Sequence, residues 1–558
     1  MKLSGAKILL ESLKSLGVDT IFGYPGGAVL PIYDALYDEK EINHVLTAHE
    51  QGAAHAADGY ARVTGKVGVV LVTSGPGATN TVTGIATAFR DSVPIVVVTG
   101  QVSQTQIGTA AFQEVDILGI TSTITKKNFM IKNAKEIPLV VNEAFKIANE
   151  GRKGPVVIDI PKDVQITQIE YENHNPNIGK SLGGDPFYCD KFEKDIDKAV
   201  ELINASKKPI IYAGGGIISS GANREILDFS QKIKSPVTCT LMALGGFPGN
   251  HKYFTGMSGM HGTRCSNYAI TKCDLLIAIG ARFSDRVTSK VEGFAPGAKI
   301  IHIDIDENEI GKNVRVDVPI KGDLKEVLQL LTEAVEEKFE GEWNLQVQEW
   351  KEKYPLTYDK NEVLSGEYVI EKLHEITKGK CILCTEVGQN QIWAAQYFKY
   401  LEPRTFISSG GLGTMGFGLG AAIGAYFGGT GKKVINIAGD GSFKMNSTEL
   451  ATVSRYKIPI IQIVLNNSCL GMVRQWQELF YKGRFSYTLF EKDVDFVKLG
   501  EAYGIKAVKI TRNDEVEEIL KYALELNEPI IIECEINTRE NVFPIVPPGE
   551  LINNMITQ

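Results

Sequence analysis

Short apolar runs rich in Val and Ile recur along this chain, and several end on glycine. Through residues 1–165 they read TIFGYPG, NHVLTA, VGVVLVTSGPG, PIVVVTG and GPVVIDIP, with helical stretches between them. The alternation resumes with KPIIYAGGG, DLLIAIGARFSDR and AKIIHIDID, and again from about residue 361. Runs of this kind, bounded by turn residues, predict buried strands. Strands alternating with helices predict parallel sheets covered on both faces. The expected fold is α/β, with three doubly wound parallel-sheet domains at residues 1–165, 188–335 and 361–545. A polar stretch containing NHNPN and LGGDP, about 166–187, reads as a linker. A charged helical segment followed by EKYPLTY, about 335–358, reads as a second bridge. No short repeat or low-complexity tract interrupts the pattern.

The third block carries the clearest chemistry. KKVINIA (432–438) and IIQIVL (460–465) predict two strands, and NSTELATVSRYK between them predicts a helix. Asn446 is placed to cap that helix, with Glu449 completing a capping box. A strand–helix–strand unit gives parallel neighbours with a right-handed crossover. GDGS (439–442) and LNNS (465–468) then put Asp440 and Asn467 at one carboxyl edge, where open α/β sheets bind ligands. A carboxylate and an amide oxygen are hard donors, suited to Mg²⁺ or Ca²⁺ and not to Zn²⁺. Gly439 and Gly441 let a diphosphate approach the backbone closely. A lone GDG is a weak signal; its pairing with LNNS carries the reading. In the first block, Glu50 of AHEQGAAHAADGYARVTG (48–65) falls where a strand ends and a helix begins. Two readings stand there: a ligand contact, or an acid that favours the helix N-terminus.

Composition narrows the partners. The chain has 558 residues, enough for about three domains. It is 43% hydrophobic and 23% charged, and its net charge of −8 argues against a nucleic-acid partner. No apolar run approaches the roughly 18 residues of a membrane span. The start, MKLSGAKILLESLKSLGV, reads as an amphipathic helix and not as a secretory or organelle leader, so a cytoplasmic location is expected. Of eight cysteines only Cys381 and Cys384 are close together; with no second CxxC they read as core thiols in a strand. The eight histidines show no metal-ligand spacing.

GDGS…LNNS with HEQGAAHAADGYAR upstream resembles the thiamine-diphosphate (ThDP) enzymes of the pyruvate oxidase and decarboxylase group. FGYPGGA, TSGPGATN, AFQE, GGLGTMGFGLGAAIGA, ARFSDRVT and LGMVRQWQ narrow the resemblance to acetohydroxyacid (acetolactate) synthase catalytic subunits of the FAD-containing biosynthetic type. It covers nearly the whole chain. It implies ThDP-dependent decarboxylation of pyruvate and carboligation to a second pyruvate or to 2-oxobutanoate. The products would be 2-acetolactate and 2-aceto-2-hydroxybutanoate, for branched-chain amino-acid biosynthesis. Another ThDP enzyme, such as a pyruvate oxidase or a 2-oxoacid decarboxylase, is the alternative.

By the same resemblance, Glu50 would hydrogen-bond the cofactor's aminopyrimidine ring. Met415 would wedge ThDP into a bent shape, with Met445 and Met472 packing near it. Val387, Gly388, Gln389, Asn390, Gly413, Gly441 and Ser442 would line its diphosphate and pyrimidine, with Leu470 and Gly471 beside them. Mg²⁺ would bind Asp440, Asn467 and the carbonyl of Cys469. FAD would contact Arg152, Gly214, Gly215, Gly216, Thr240, Leu241, Met260, His261, Gly262, Gly280, Arg282, Arg286, Asp304, Ile305 and Asp323. Arg286 would fork a 2-oxoacid carboxylate, and Trp476 would line the acceptor's alkyl pocket. Gln113, with Gly26 nearby, would contact the reacting groups. Active sites between subunits imply at least a homodimer, or a homotetramer, and a small regulatory subunit is the implied protein partner. Three departures stand out: Ala110 and Ser284 where aspartates are frequent, and Asn390 where histidine is.

Overall fold

A computed structural model describes residues 2–171, 190–360, 363–490 and 494–557. Most of the expected linker lies outside the described residues. The short strands β1 (Lys2–Ser4) and β8 (Gln168–Glu170) pair antiparallel and tie the two ends of the first domain together. The amphipathic start therefore opens as a strand. Ser4 then caps a helix over Gly5–Ser15, so that helix is shorter than the sequence expectation.

Three six-stranded parallel sheets make up the rest. The first contains β2 (Thr20–Tyr24), β3 (Asn43–Leu46), β4 (Gly68–Val72), β5 (Ile95–Gln101), β6 (Lys127–Met130) and β7 (Val156–Pro161). Its spatial order is β3-β2-β4-β5-β7-β6. The middle sheet contains β9 (Pro209–Ala213), β10 (Val237–Cys239), β11 (Phe254–Met257), β12 (Leu275–Ile279), β13 (Lys299–Asp304) and β14 (Val318–Lys321). Its order is β11-β10-β9-β12-β13-β14. The third contains β15 (Ile382–Thr385), β16 (Phe406–Ile407), β17 (Val434–Gly439), β18 (Ile461–Asn466), β19 (Lys506–Ile510) and β20 (Ile530–Glu535), in the order β16-β15-β17-β18-β20-β19. The central strands are buried along their length because helices cover both faces.

The winding reverses between β2 and β4, between β9 and β12, and between β15 and β17; in the first and third sheets it turns back once more at the outer edge, where β6 and β19 lie outside β7 and β20. Crevices open at such switch points, beyond the carboxyl ends of the strands. The glycine-rich segments follow the flanking strands: PGG and TSGPG in the first sheet, GGG and GARFS in the second, EVGQN and GDGS in the third. The charged bridge forms a helix over Glu342–Lys353 that buries Trp343 and Val347 against the middle domain. Cys381 and Cys384 are free and buried, as expected of core thiols, and burial pushes the Cys381 thiol up to about 12.

The expected capping box does not form. Residues 447–449 make a 3-10 turn, and the helix runs from Leu450 to Tyr456. Asn446 Nδ2 instead donates to Gly416 O at 3.1 Å. Glu449 crosses to the first domain, where its carboxylate accepts from Ala48 N and His49 N at 3.0–3.2 Å. A buried acid is worth more between two domains than on a local cap, since it answers backbone donors that water cannot reach.

Candidate active site

At the third switch point, β17 and β18 run parallel and deliver Asp440 and Asn467 to one edge. Both side chains are buried. Gln389 fixes how Asn467 is turned. Its Nε2 donates to Glu540 O at 2.7 Å and to Gln475 Oε1 at 3.2 Å, so its Oε1 must accept, and Asn467 Nδ2 donates to it at 2.9 Å. The Asn467 amide oxygen is thereby pointed at 3.1 Å from Cys469 O and 3.3 Å from Asp440 Oδ1. Turning the amide over would set oxygen against oxygen at Gln389. A cation placed among these three oxygens would be held by all of them. Adjacent oxygens of an octahedral Mg²⁺ lie about 3.0 Å apart, given metal–oxygen distances of about 2.1 Å. The donor set thus fits a hard cation. Among the described residues no group of three or more His, Cys, Asp or Glu side chains offers another metal site.

The surrounding segments are held close to this edge. Asn390 spends both amide hydrogens on backbone, donating to Glu386 O at 3.1 Å and Ile437 O at 2.9 Å. Gly388 sits at φ 142°, which an L side chain rarely adopts. A Cβ added to Gly471 would come within 2.0 Å of Gln389 Oε1, and one on Gly441 within 2.7 Å of Leu470. Gly413, also at positive φ, opens the turn that carries Met415. That turn is pinned by Thr414 Oγ1 bonded to Thr87 at 2.7 Å and by Thr414 N donating to Ser409 Oγ at 3.0 Å. Met445 does not pack inward: it is 60% exposed. Ser442 donates to the buried Glu386 carboxylate at 2.8 Å.

In the first domain the structure brings Gly26, Glu50 and Gln113 to one edge. A Cβ on Gly26 would strike Thr73, and one on Gly77 would touch both Thr73 and Glu50 Oε1. Gly75 backs directly onto Gln113. Glu50 opens the helix Glu50–Thr64, capped by His49, and accepts from Asn80 Nδ2 at 2.9 Å. Gln113 and Ala110 both have positive φ in a loop that Glu114 closes by accepting from Gly108 N and Ala111 N.

Between the domains lies a cavity of about 810 Å³. Of the fifteen residues expected around FAD, fourteen line it; Gly262 is packed against Ser258 instead. Gly214 and Gly216 are required there because a Cβ on either would meet Gly280 within 2.0–2.7 Å. Val387, Gly388, Gly413, Met472 and Trp476 close the far end, whereas Glu50, Gly26, Gln113, Asp440 and Asn467 are not in its lining. Arg152 spans two domains, donating to Ser92 Oγ at 2.9 Å and pairing with Glu309 at 2.8 Å. Arg282 donates to Arg90 O at 2.6 Å. Burial pushes Asp304 up to about 6 and His261 down to about 4, so His261 is neutral at pH 7 beside Pro544 O, 3.2 Å from its Nδ1. Positive side chains with a glycine turn and an acid at a strand end fit an elongated dinucleotide. Arg286 and Trp476 meet, the guanidinium 5.7 Å from the ring centroid. The Arg286–Asp285 pair is exposed and 3.8 Å apart, too loose to hold the arginine.

The sequence reading did not single out Arg62, Asp91, Lys153, Arg404 or Glu309 in the cavity wall, nor Glu386. The first five come from segments far apart in the chain, and nothing local marks them. Glu386 had a signal: like Asp440, it follows an apolar strand and precedes a glycine by one or two residues.

Comparison with known proteins gives three family profiles in chain order. Residues 3–120 match the thiamine pyrophosphate enzyme N-terminal TPP binding domain, 196–331 the central domain, and 386–534 the C-terminal TPP binding domain. The chain is 50% identical to a probable acetolactate synthase large subunit of Methanocaldococcus jannaschii, across 99% of this chain and 95% of that one. It is 47% identical to the acetolactate synthase large subunit of Corynebacterium glutamicum, across 98% and 89%. With the acetolactate synthase isozyme 2 large subunit of Escherichia coli it shares 43% identity across 99% of both chains.

Proposed function

Because the chain belongs to the thiamine pyrophosphate enzymes, among the acetolactate synthase large subunits, we propose that it makes 2-acetolactate from two molecules of pyruvate. One pyruvate loses CO₂ and its remaining two carbons are joined to the keto carbon of the second. With 2-oxobutanoate as acceptor the product is 2-aceto-2-hydroxybutanoate, which places the enzyme at the entry to branched-chain amino-acid synthesis. Bound ThDP supplies the nucleophilic carbon and accepts the electron pair that CO₂ leaves behind.

The convergence of Asn467, Cys469 and Asp440 oxygens carries this reading. These three would hold Mg²⁺, which would tether the cofactor's diphosphate. Glu50 would hydrogen-bond the pyrimidine ring, and Met415 would support the cofactor from the opposite domain. FAD fills the central cavity as a structural group, since the reaction needs no net oxidation. Arg286 receives a 2-oxoacid carboxylate bidentately and Trp476 bounds the acceptor's alkyl group.

Glu50 and Asp440 occupy different edges of one chain, and exposed apolar side chains flank both: Phe112 at 88% and Met445 at 60%. A second copy that brings its Glu50 edge to this Asp440 edge completes the site, so the working unit is at least a homodimer. A small regulatory subunit belongs to the same proposal, as does a cytosolic location, in keeping with seven free buried thiols among the described residues. Among those residues no helix is long and apolar enough to cross a membrane.

The test is direct. Purified protein given pyruvate, Mg²⁺ and ThDP should yield 2-acetolactate, and adding 2-oxobutanoate should divert product to the longer acid. Acetaldehyde or acetyl phosphate as the main product would overturn the reading. A visible flavin spectrum checks the cavity's occupant.

A further inference from the structure

Glu386 is the first residue after β15, at the third switch point, and its side chain is fully buried. Among the described residues no arginine or lysine forms an ion pair with it. Its carboxylate is met by short donors from two segments. Oε2 accepts from Ser442 Oγ at 2.8 Å and Gly416 N at 2.8 Å, and Oε1 from Leu419 N at 3.3 Å. Ser442 lies in the GDGS segment, two residues beyond Asp440. Gly416 follows Met415, in the turn that leads to the helix Gly418–Phe427. Gly416 N also lies 3.3 Å from Ser442 Oγ, which closes the arrangement into a ring. One side chain therefore sets the spacing between the Met415 turn and the GDGS segment. Burial pushes its pKa up to about 7. A fold with no use for an acid here would do better with an apolar residue, because burying a carboxylate costs several kcal/mol.

We propose that Glu386 is a positioning residue for ThDP, locking the Met415 turn against the Ser442 end of the GDGS segment so that both grip one cofactor at a fixed distance. This rests on the proposed function. Glu386 touches neither cofactor nor substrate on this account. It also orients Ser442, whose hydroxyl hydrogen is spent on Glu386.

The experiment compares wild type with Glu386→Gln and Glu386→Asp. The glutamine keeps size but must set its NH₂ against one group of donors, either Gly416 N and Ser442 Oγ or Leu419 N. The aspartate keeps the charge but falls short of one segment. ThDP affinity is measured by calorimetry at saturating Mg²⁺, beside far-UV dichroism and thermal unfolding without ThDP. Glu386→Gln should weaken ThDP binding about tenfold or more, as expected for the loss of a charge-assisted pair. Glu386→Asp should fall between it and wild type, with wild-type secondary structure in both. At saturating ThDP the KM for pyruvate should stay within about twofold, because Arg286 and Trp476 are untouched. ThDP affinity equal to wild type in both variants, with only the unfolding temperature lowered, would reduce Glu386 to a fold-stabilising residue and overturn the proposal. If Glu386→Gln does not fold, Glu386→Asp decides by the same criterion. Wild type that binds no ThDP overturns the proposed function as well; wild type that binds it and makes acetolactate confines a failure to Glu386.

Discussion

A buried carboxylate must be answered by donors or by a cation. Three such acids in this chain are answered differently. Asp440 faces other oxygens and fits a cation, and Glu386 faces donors from two segments. Asp159, inside the first sheet's β7 and two residues before its end, accepts from Thr99 Oγ1 at 2.7 Å and Gln101 Nε2 at 3.0 Å. Burial outweighs those bonds and pushes Asp159 from 3.8 up to about 7. The folded chain then keeps a proton that the unfolded chain releases between those values. The stability from this group is full below pH about 4 and is lost as pH rises to about 7. Replacing Asp159 with Asn removes that slope. The unfolding temperature of Asp159→Asn minus that of wild type should therefore rise between pH 5 and pH 8. Thermal melts at both values check it, and a difference that stays flat or falls would refute the assignment. Asp440's place at the carboxyl edge of the sheet was legible because its pattern is local. Asp159 was not, because its burial depends on how deep β7 lies in the sheet.

At the scale of elements, the helices Glu50–Thr64 and Gly418–Phe427 make the closest packing in the molecule. A Cβ on Gly59 would come within 2.1 Å of Ala421 O, and one on Gly424 within 1.8 Å of Ala56 O. Backbone cannot yield as a flexible side chain can. Inside a helix Gly→Ala ordinarily gains about 1 kcal/mol. Here the clash should reverse the sign, since overpacking costs about 1–3 kcal/mol or more. Gly424→Ala should thus lower the unfolding temperature. Gly297→Ala, whose Cβ would meet only Cys273 O at 3.9 Å, should leave it nearly unchanged. The strands were legible because buried parallel strands are continuous apolar runs. Short outer strands such as β6 and β16 were not, being too brief to show a pattern. The mistaken capping box has a similar cause: Asn446 and Glu449 have the right spacing, but Gly416 and the first domain compete for them.

For the whole molecule, the first and third sheets share one strand order, and the two close-packed helices occupy matching places, each leading into the third strand of its sheet: β4 and β17. No repeat is visible in the sequence because the likeness is one of topology, not of residues. If the proposed homodimer joins the Glu50 edge of one copy to the Asp440 edge of the other, its sites are separable by mutation. Chains carrying only Glu50→Gln and chains carrying only Asp440→Asn should each be nearly inactive. Unfolded together, mixed and refolded, they should recover about a quarter of wild-type activity, because half the dimers are mixed and each mixed dimer holds one intact site. No recovery, with mixed dimers shown by mass spectrometry, would mean that each chain carries its own complete site.

The sequence by itself determined the long buried strands and the strand–turn–helix units that follow them, though not every cap or short outer strand within them. Apolar runs named the long strands, and the pairing of GDGS with LNNS put Asp440 and Asn467 at one carboxyl edge, as found. Each of these depends only on bonds between near neighbours in the chain. Tertiary structure alone decided which distant segments meet. It set Gln389 to turn the Asn467 oxygen toward Asp440, Glu386 to join Ser442 with the Met415 turn, and Arg152 to bridge two domains over the cavity. Those contacts join residues tens to hundreds of positions apart, and their strength comes from exclusion of water, which exists only once the domains have closed.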